Sequence, residues 1–390
     1  MLRKVAYAGA QASSFGQAAK DLTALAEVTI TTKRVERWTK RVGEARVAER
    51  EQQAEAYQEL PLPQRRKSPL GRAPQVACVM MDGGRIQIRD RTEDPKRREE
   101  KGYWKESLVG CCLSMTSEEH AVDPCPTIPR TFVDPERMHE LSREIKGFSG
   151  DAAPAQQSPP DGPEDRAGRP EVLVKSVVAT RQGIDKFGKR LVAEAHARGF
   201  HAAPRKAFVA DGSSTNWSVH KQHFSHYTPI VDFTHAICYV YAAAVAGRSL
   251  AAAWSQYCQW AQWLWEGNLA ALIGAVEERL TELGPPNDEE SATSPRNIVA
   301  DMARYLTNQR SRMKYAEYRK LGLPITSSHI ESIIKQINRR VKGTEKFWDQ
   351  GAEPLLQLAA DHLSETTDFD HFWARRPSHL PPTRCYQTAA

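Results

Sequence analysis

Two apolar runs in this chain stop at the same dipeptide. "QVACVMMDGG" ends at Asp82-Gly83, and "KAFVADGS" ends at Asp211-Gly212. Short apolar runs bounded by Asp and Gly read as buried strands. Asp-Gly is common where a strand turns, so a single example carries little weight. Two of them raise the question of whether the carboxylates meet, which requires their strands to be neighbours. Two carboxylates held together on rigid strands repel unless a cation lies between them, which favours a hard divalent ion such as Mg²⁺ or Mn²⁺. A pair of such ions roughly 3.5–4 Å apart stabilises both the attacking and the leaving oxygen of a phosphoryl displacement.

The pattern around these runs is that of an α/β protein. From Gln75, "VACVMMD" reads as a strand, Gly83-Gly84 as a turn and "RIQIRD" as the returning strand of a hairpin, with "SLVGCCLSM" as a third strand. "DPERMHELSREI" opens a helix with Asp134 as N-cap and Pro135 at its first position. Ile184, Phe187, Leu191 and Ala195 mark a helix leading into "AFVAD", and the strand "TPIVDF" is followed by a helix through "HAICYVYAAAVAG". A hairpin-led meander followed by alternating strand and helix predicts a mixed sheet flanked by helices.

Outside that pattern the chain is helical. Phe15, Ala18, Leu22 and Leu25, then Val35, Trp38 and Val42, follow helical spacing, with "EVTITT" between and Thr31 or Thr32 as a cap. The second member carries Lys33, Arg34, Arg37, Lys40 and Arg41, which suits a helix-turn-helix on DNA and equally a helical hairpin with a solvated basic face. Ser249 to Arg319 reads as helix throughout, rich in Trp254, Tyr257, Trp260, Trp263 and Trp265 and interrupted by "ELGPPNDEESATSPRN", hence an inserted subdomain. "LPITSSHIESIIKQINRRVKG" then returns to the core, with Ser327 or Ser328 capping a helix whose Ile330, Ile333, Ile334 and Ile337 form an apolar face. The organisation expected is a helical DNA-binding unit at 1–60 and a proline-rich basic linker at 61–74. The first part of the core then spans 75–248, with a flexible low-complexity loop at 152–170. A helical insertion occupies 249–320, the end of the core 321–365, and a tail 366–390.

Composition excludes several classes. At 390 residues, 40% hydrophobic and 26% charged, the chain suits a globular protein of two or three units. It has no run of about 18 apolar residues to span a membrane and no apolar core for a signal peptide. Seven scattered cysteines without a CxxC pair point to a reducing, cytoplasmic setting. The net charge of +6, with basic residues clustered at the two ends of the chain, favours a polyanionic partner such as nucleic acid.

Two-ion phosphoryl displacement needs a third carboxylate, and Glu331, in the first turn of its helix, is a candidate. Local pattern alone favours the bland alternative, that it complements the helix dipole and pairs with Lys335 at i+4. The ordered set "VMMDGGRIQIR", "VADGSSTNWSVHKQHF", "PIVDFTHAICYV" and "LGLPITSSHIESIIKQINRRVKGTEKFW" resembles bacterial insertion-sequence transposases of the DDE superfamily, over roughly residues 15 to 376. The resemblance implies an RNase H-like core with Asp82, Asp211 and Glu331 as catalytic and metal-binding residues holding two Mg²⁺, for which Mn²⁺ substitutes. It implies metal-dependent cleavage of element ends and joining of the freed 3′-hydroxyl to target DNA. The implied partners are the terminal inverted repeats, the target DNA and further copies of the chain in a homo-oligomer. Asp232 and His235 match the family's Asp-x-x-His element beside the active site. From the residues alone they read equally as a capping Asp and a partly buried His.

His220, His223 and His226 do not make a zinc site if Trp217 to Tyr227 is a loop or hairpin edge, and they are expected to touch DNA or pack. Lys335, Arg339, Arg340, Lys342 and Lys346, which follow the glutamate, suit phosphate contacts or a solvated face. Such transposases commonly carry more N-terminal DNA-binding sequence than precedes this helical pair, which bears on end recognition rather than on catalysis. Two competing readings are a catalytically inactive transposase-derived DNA-binding regulator and an RNase H-like nuclease that hydrolyses without joining.

Overall fold

The computed structural model describes residues 1–89, 103–147, 162, 167–286, 289–343, 346–349 and 351–376. Most of the expected loop at 152–170 and the end of the expected tail lie outside the described residues. In chain order the helices begin with α1 (Leu2–Gln11), α2 (Phe15–Ala26), α3 (Thr32–Glu59) and the short α4 (Leu62–Arg65). Strands β1 (Val76–Gln87) and β2 (Trp104–Thr116) precede α5 (Pro135–Lys146), β3 (Glu171–Thr180) and α6 (Ile184–Ala197). Then come β4 (Arg205–Ala210), α7 (Ser214–His223), β5 (Thr228–Val231) and α8 (Phe233–Val245). A helical block follows: α9 (Leu250–Glu266), α10 (Leu269–Leu283), α11 (Pro295–Gln309) and α12 (Tyr315–Lys320). The last described helices are α13 (Ser328–Val341), α14 (Ala352–Leu363) and α15 (Asp368–Arg375).

The sheet is five-stranded and mixed, in the order β3-β2-β1-β4-β5. β1 runs antiparallel to β2 and parallel to β4; β2 is antiparallel to β3, and β4 parallel to β5. Side chains alternate between two cores because the pleat has a period of two. Val76, Cys78 and Met80 of β1 and Ala207 and Val209 of β4 face the larger core, which also takes in α8, the helical block and Ile330, Ile333 and Ile337 of α13. Ala77, Val79 and Met81 face the other, with Phe187 and Leu191 of α6 and Val219 of α7. Trp260 and Tyr257 of the helical block are buried in the larger core, so the block is packed as interior rather than as an appendage.

Two local expectations are corrected, and one strand is added. β1 runs straight through Gly83 and Gly84, which pair with Leu108 and Ser107 of β2, so the hairpin turn does not occur there. Neither glycine has a positive φ, and continuing the ladder satisfies backbone groups that a turn would release. The segment Glu171–Thr180, "EVLVKSVVAT", forms the additional edge strand β3. Trp217 to His223 is helical rather than a loop or hairpin edge, because α7 covers Ser214–His223, and only Phe224 to Tyr227 forms a turn, before β5. The capping of α5 is as expected: Asp134 accepts from the Arg137 N–H at 2.6 Å, with Pro135 in the first turn. Thr31 and Ser327 occupy N-cap positions without a side-chain capping bond.

The N-terminal helices are built into the body. α3, 28 residues long, packs on α6 and α14. Arg46 of α3, 1% exposed, donates two bonds of 2.8 Å to the carboxylate of Asp361 in α14 and lies over Phe372 of α15. Arg50 pairs with the buried Glu194 of α6 at 2.6 Å. Leu25, expected on the apolar face of α2, is 87% exposed.

Candidate metal centre

The ladder places the carboxylates. β1 and β4 pair in parallel as far as Met80 opposite Val209. Two residues further along each, Asp82 and Asp211 come side by side. Both continue the parity of Met80 and Val209, so both project toward the face on which α13 packs. α13 presents Ile330, Ile333 and Ile337 to the core, which puts Glu331 in its first turn at the same edge.

Local bonds hold each group. The Asp82 carboxylate accepts from the Gly83 N–H at 2.6 Å. Asp211 Oδ1 accepts from the Ser213 N–H at 2.8 Å and Asn216 Nδ2 at 2.7 Å, both at the start of α7, and neither bond uses Oδ2. Gly212 is required by close approach: a Cβ there would lie 2.4 Å from the ring of Tyr305 in α11. Gln309 of the same helix donates to Gly212 O at 3.1 Å, so the helical block buttresses the strand end. The sequence reading missed Tyr305. Its hydroxyl is buried without a partner near Asp211 and Asp232, and no local motif marks it.

Asp232, fully buried at the N-cap of α8, is a hub. Its Oδ2 accepts from the His235 N–H at 2.9 Å and meets His235 Nδ1 at 2.6 Å, while Oδ1 accepts from the Ser327 N–H at 2.7 Å, fixing the approach to α13. The capping Asp and the site neighbour are one residue, so the two readings of this pair are not exclusive. Burial works against its ionisation, but the bonds from His235 and Ser327 hold Asp232 below the usual carboxylate range. Burial also disfavours charge on His235, yet the Asp232 contact, with Asp211 and Glu331 nearby, raises it to about 9.

The remaining carboxylates show mutual repulsion. Burial and the neighbouring Asp211 push Asp82 up to about 6, with Glu331 adding to the rise. Burial and Asp232 raise Glu331, whose Oε1 is buried with no hydrogen-bond partner. Lys335 does not neutralise it by direct pairing; Lys335 bonds Glu144 of α5 instead.

Asp232, His235 and Glu331 offer ligand atoms within 4.8 Å of one another, a cluster able to hold a metal ion. Both oxygens of Asp232 are already engaged, so it serves better to orient His235. Asp82 and Asp211 lie outside that 4.8 Å grouping of the described residues, though each keeps a carboxylate oxygen that the local bonds above do not use. Carboxylate oxygens of this kind suit a hard divalent cation.

The other candidates are dispersed. His220 Nε2 lies 3.0 Å from Tyr227 O, His223 packs against Gly188, and His226 lies beside His201 and Tyr227, so the three histidines do not converge. Lys33, Arg34, Arg37 and Arg41 are exposed on α3, with Arg41 over Trp38, while Lys40 is half-buried against Glu36. Arg339 and Lys342 are exposed, Lys342 over Trp104. Arg340 departs from the expected surface set: it is 4% exposed, and its Nε donates to Gly9 O at 3.0 Å, since it lies on the isoleucine side of α13.

Among the described residues no helix is long and apolar enough to cross a membrane. Comparison with protein-family models and with curated proteins gave no match for this chain.

Proposed function

We propose that this chain is a DDE-type DNA transposase with an RNase H-like catalytic core, acting on element ends in the cytoplasm as at least a dimer on DNA. The observation that carries the reading is the placing of Asp82 and Asp211 at the ends of neighbouring parallel strands, close enough for Asp211 to raise the cost of charge on Asp82, with Glu331 and its unpartnered buried oxygen also acting on Asp82. The strand order β3-β2-β1-β4-β5, with three antiparallel strands followed by two parallel ones, supports the same core.

Asp82, Asp211 and Glu331 would hold two Mg²⁺, which supply activation of the attacking oxygen and stabilisation of the leaving one. Asn216 and Ser213 orient Asp211, and Asp232 holds His235 as a cation beside the three carboxylates. That cation offsets part of their repulsion. Lys33 and Arg34 sit in the first turn of α3, where the helix dipole disfavours cations, so an external polyanion explains them better than helix stability does. Arg37, Arg41, Arg339 and Lys342 extend the exposed basic set.

The test is a crystal soaked in Mn²⁺ and read by anomalous scattering, with Asp211→Asn as control, alongside cleavage and joining assays on DNA from the element ends. Manganese among Asp82, Asp211 and Glu331 that disappears in the variant, together with 3′-end joining, is the expected outcome. Metal binding and hydrolysis without joining would make the chain a nuclease; no metal there would remove the catalytic reading altogether.

A further inference from the structure

Buried arginines in this fold come with carboxylates. Arg46 meets Asp361 and Glu49, Arg190 meets Glu353 and Glu51, Arg279 meets Glu282, and Arg319 meets Asp123. Arg340 is the exception among the buried arginines of the described residues. Its guanidinium lies over the rings of Phe15, at 4.6 Å, and Trp348, at 5.3 Å, and its Nη2 has no partner. Burial lowers its pKa to about 10, with Glu36 the single opposing influence. A buried guanidinium with no counter-ion is costly, because desolvation is not offset by an opposite charge.

Arg340, Phe15 and Trp348 belong to the wall of an open cavity of about 350 Å³ that also takes in Lys40, Arg89, Lys346, Glu36 and Asp349. Four cations therefore face two carboxylates, and Lys40 already occupies Glu36 at 2.6 Å. Lys346 Nζ donates to the carbonyls of Arg339 and Arg340 at the end of α13, and burial and Arg340 both lower its pKa. Ser13, Ser14 and Phe15, at the start of the 12-residue helix α2, close another side, so the positive end of a helix dipole opens into the same space.

We propose that this cavity binds a phosphate group, held by Arg340, Lys346 and the first turn of α2. The excess positive charge matches a phosphate ester or inorganic phosphate, and the flanking Phe15 and Trp348 keep the guanidinium fixed. The cavity stands apart from the carboxylate cluster, with Arg340 about 13 Å beyond Glu331 along α13. The proposal does not depend on the catalytic reading. A phosphate in this place could belong to a DNA backbone or be free in solution.

Calorimetric titration of the full chain with inorganic phosphate, at ionic strength held constant with chloride, tests it. Phosphate should bind the unaltered protein and raise its Tm above the chloride control. Lys346→Gln should weaken binding about tenfold or more, the loss of one charge-assisted contact. Arg340→Met, which keeps the stacking and removes the charge, should abolish it; if that variant fails to fold, Lys346→Gln alone decides. No phosphate-specific binding to the unaltered protein, or binding unchanged in the lysine variant, would overturn the proposal. A short DNA duplex then separates the sources. Competition between duplex and phosphate, with duplex affinity reduced by Lys346→Gln, identifies a backbone phosphate. Duplex affinity unaffected by the substitution identifies free phosphate.

Discussion

Asp82 is held at about 6 by burial and by Asp211, well above the ordinary 3.8 of an aspartate. A carboxyl whose folded pKa is raised favours the protonated folded state. Its contribution to stability is therefore lost as pH rises from about 3.8 to about 6 and regained as pH falls again. Asp82→Asn should stabilise the metal-free protein at pH 7.5 by about 1–3 kcal/mol, seen as a higher urea midpoint, with no such gain at pH 3.5. The same substitution should abolish metal-induced stabilisation, so the variant gains in one measurement and loses in the other. Asp232→Asn tests a different role. It keeps the N-cap of α8 but removes the charge that holds His235 near 9, so the imidazole should lose its proton at lower pH and Asp82, which that cation lowers, should titrate higher. NMR titration of His235 and of the Asp82 carboxylate checks both shifts.

The contact between α3 and α14 is close because Gly43 has no side chain. A Cβ there would come within 2.4 Å of Pro354 O and 2.6 Å of Pro354 Cβ, so Gly43→Ala should destabilise by about 1–3 kcal/mol despite the better helix propensity of alanine. Thermal unfolding gives the sign directly. Such a contact shows how far local pattern reaches. The capped start of α5, the apolar stripe of α13 and the strand ends at Asp82 and Asp211 are written in neighbouring residues, and the sequence reading found them. β3 was missed because its valines follow a proline-rich stretch and it sits at an edge covered by Ser364 and Glu365. α7 was not legible because its Trp217, His220 and His223 carry no apolar stripe; tertiary contact with α6 orders it. Gly83-Gly84 looked like a turn because glycine permits one, yet pairing with β2 decides the backbone there. The burial of Arg340 and the approach of Tyr305 to Gly212 depend on partners far away in the chain.

Arg46 is the residue on which the assembly of distant segments depends most. It joins α3 to Asp361 while Phe369 and Phe372 of α15 lie against its guanidinium. Arg46→Met should cost about 3–5 kcal/mol in chemical denaturation, since it strands the buried Asp361 carboxylate. Arg46→Met combined with Asp361→Leu should recover much of that loss. The pairing also bears on how the protein is made. Because Val42 and Ala6 are covered by Leu358 and Phe372, helices α1 and α3 have no finished surface to rest on until α14 and α15 have been made. A nascent chain would carry its basic α3 helix exposed and its apolar stripe unprotected through nearly the whole of synthesis. Products of interrupted translation should accordingly be substrates for chaperones and proteases rather than short, stable DNA-binding fragments.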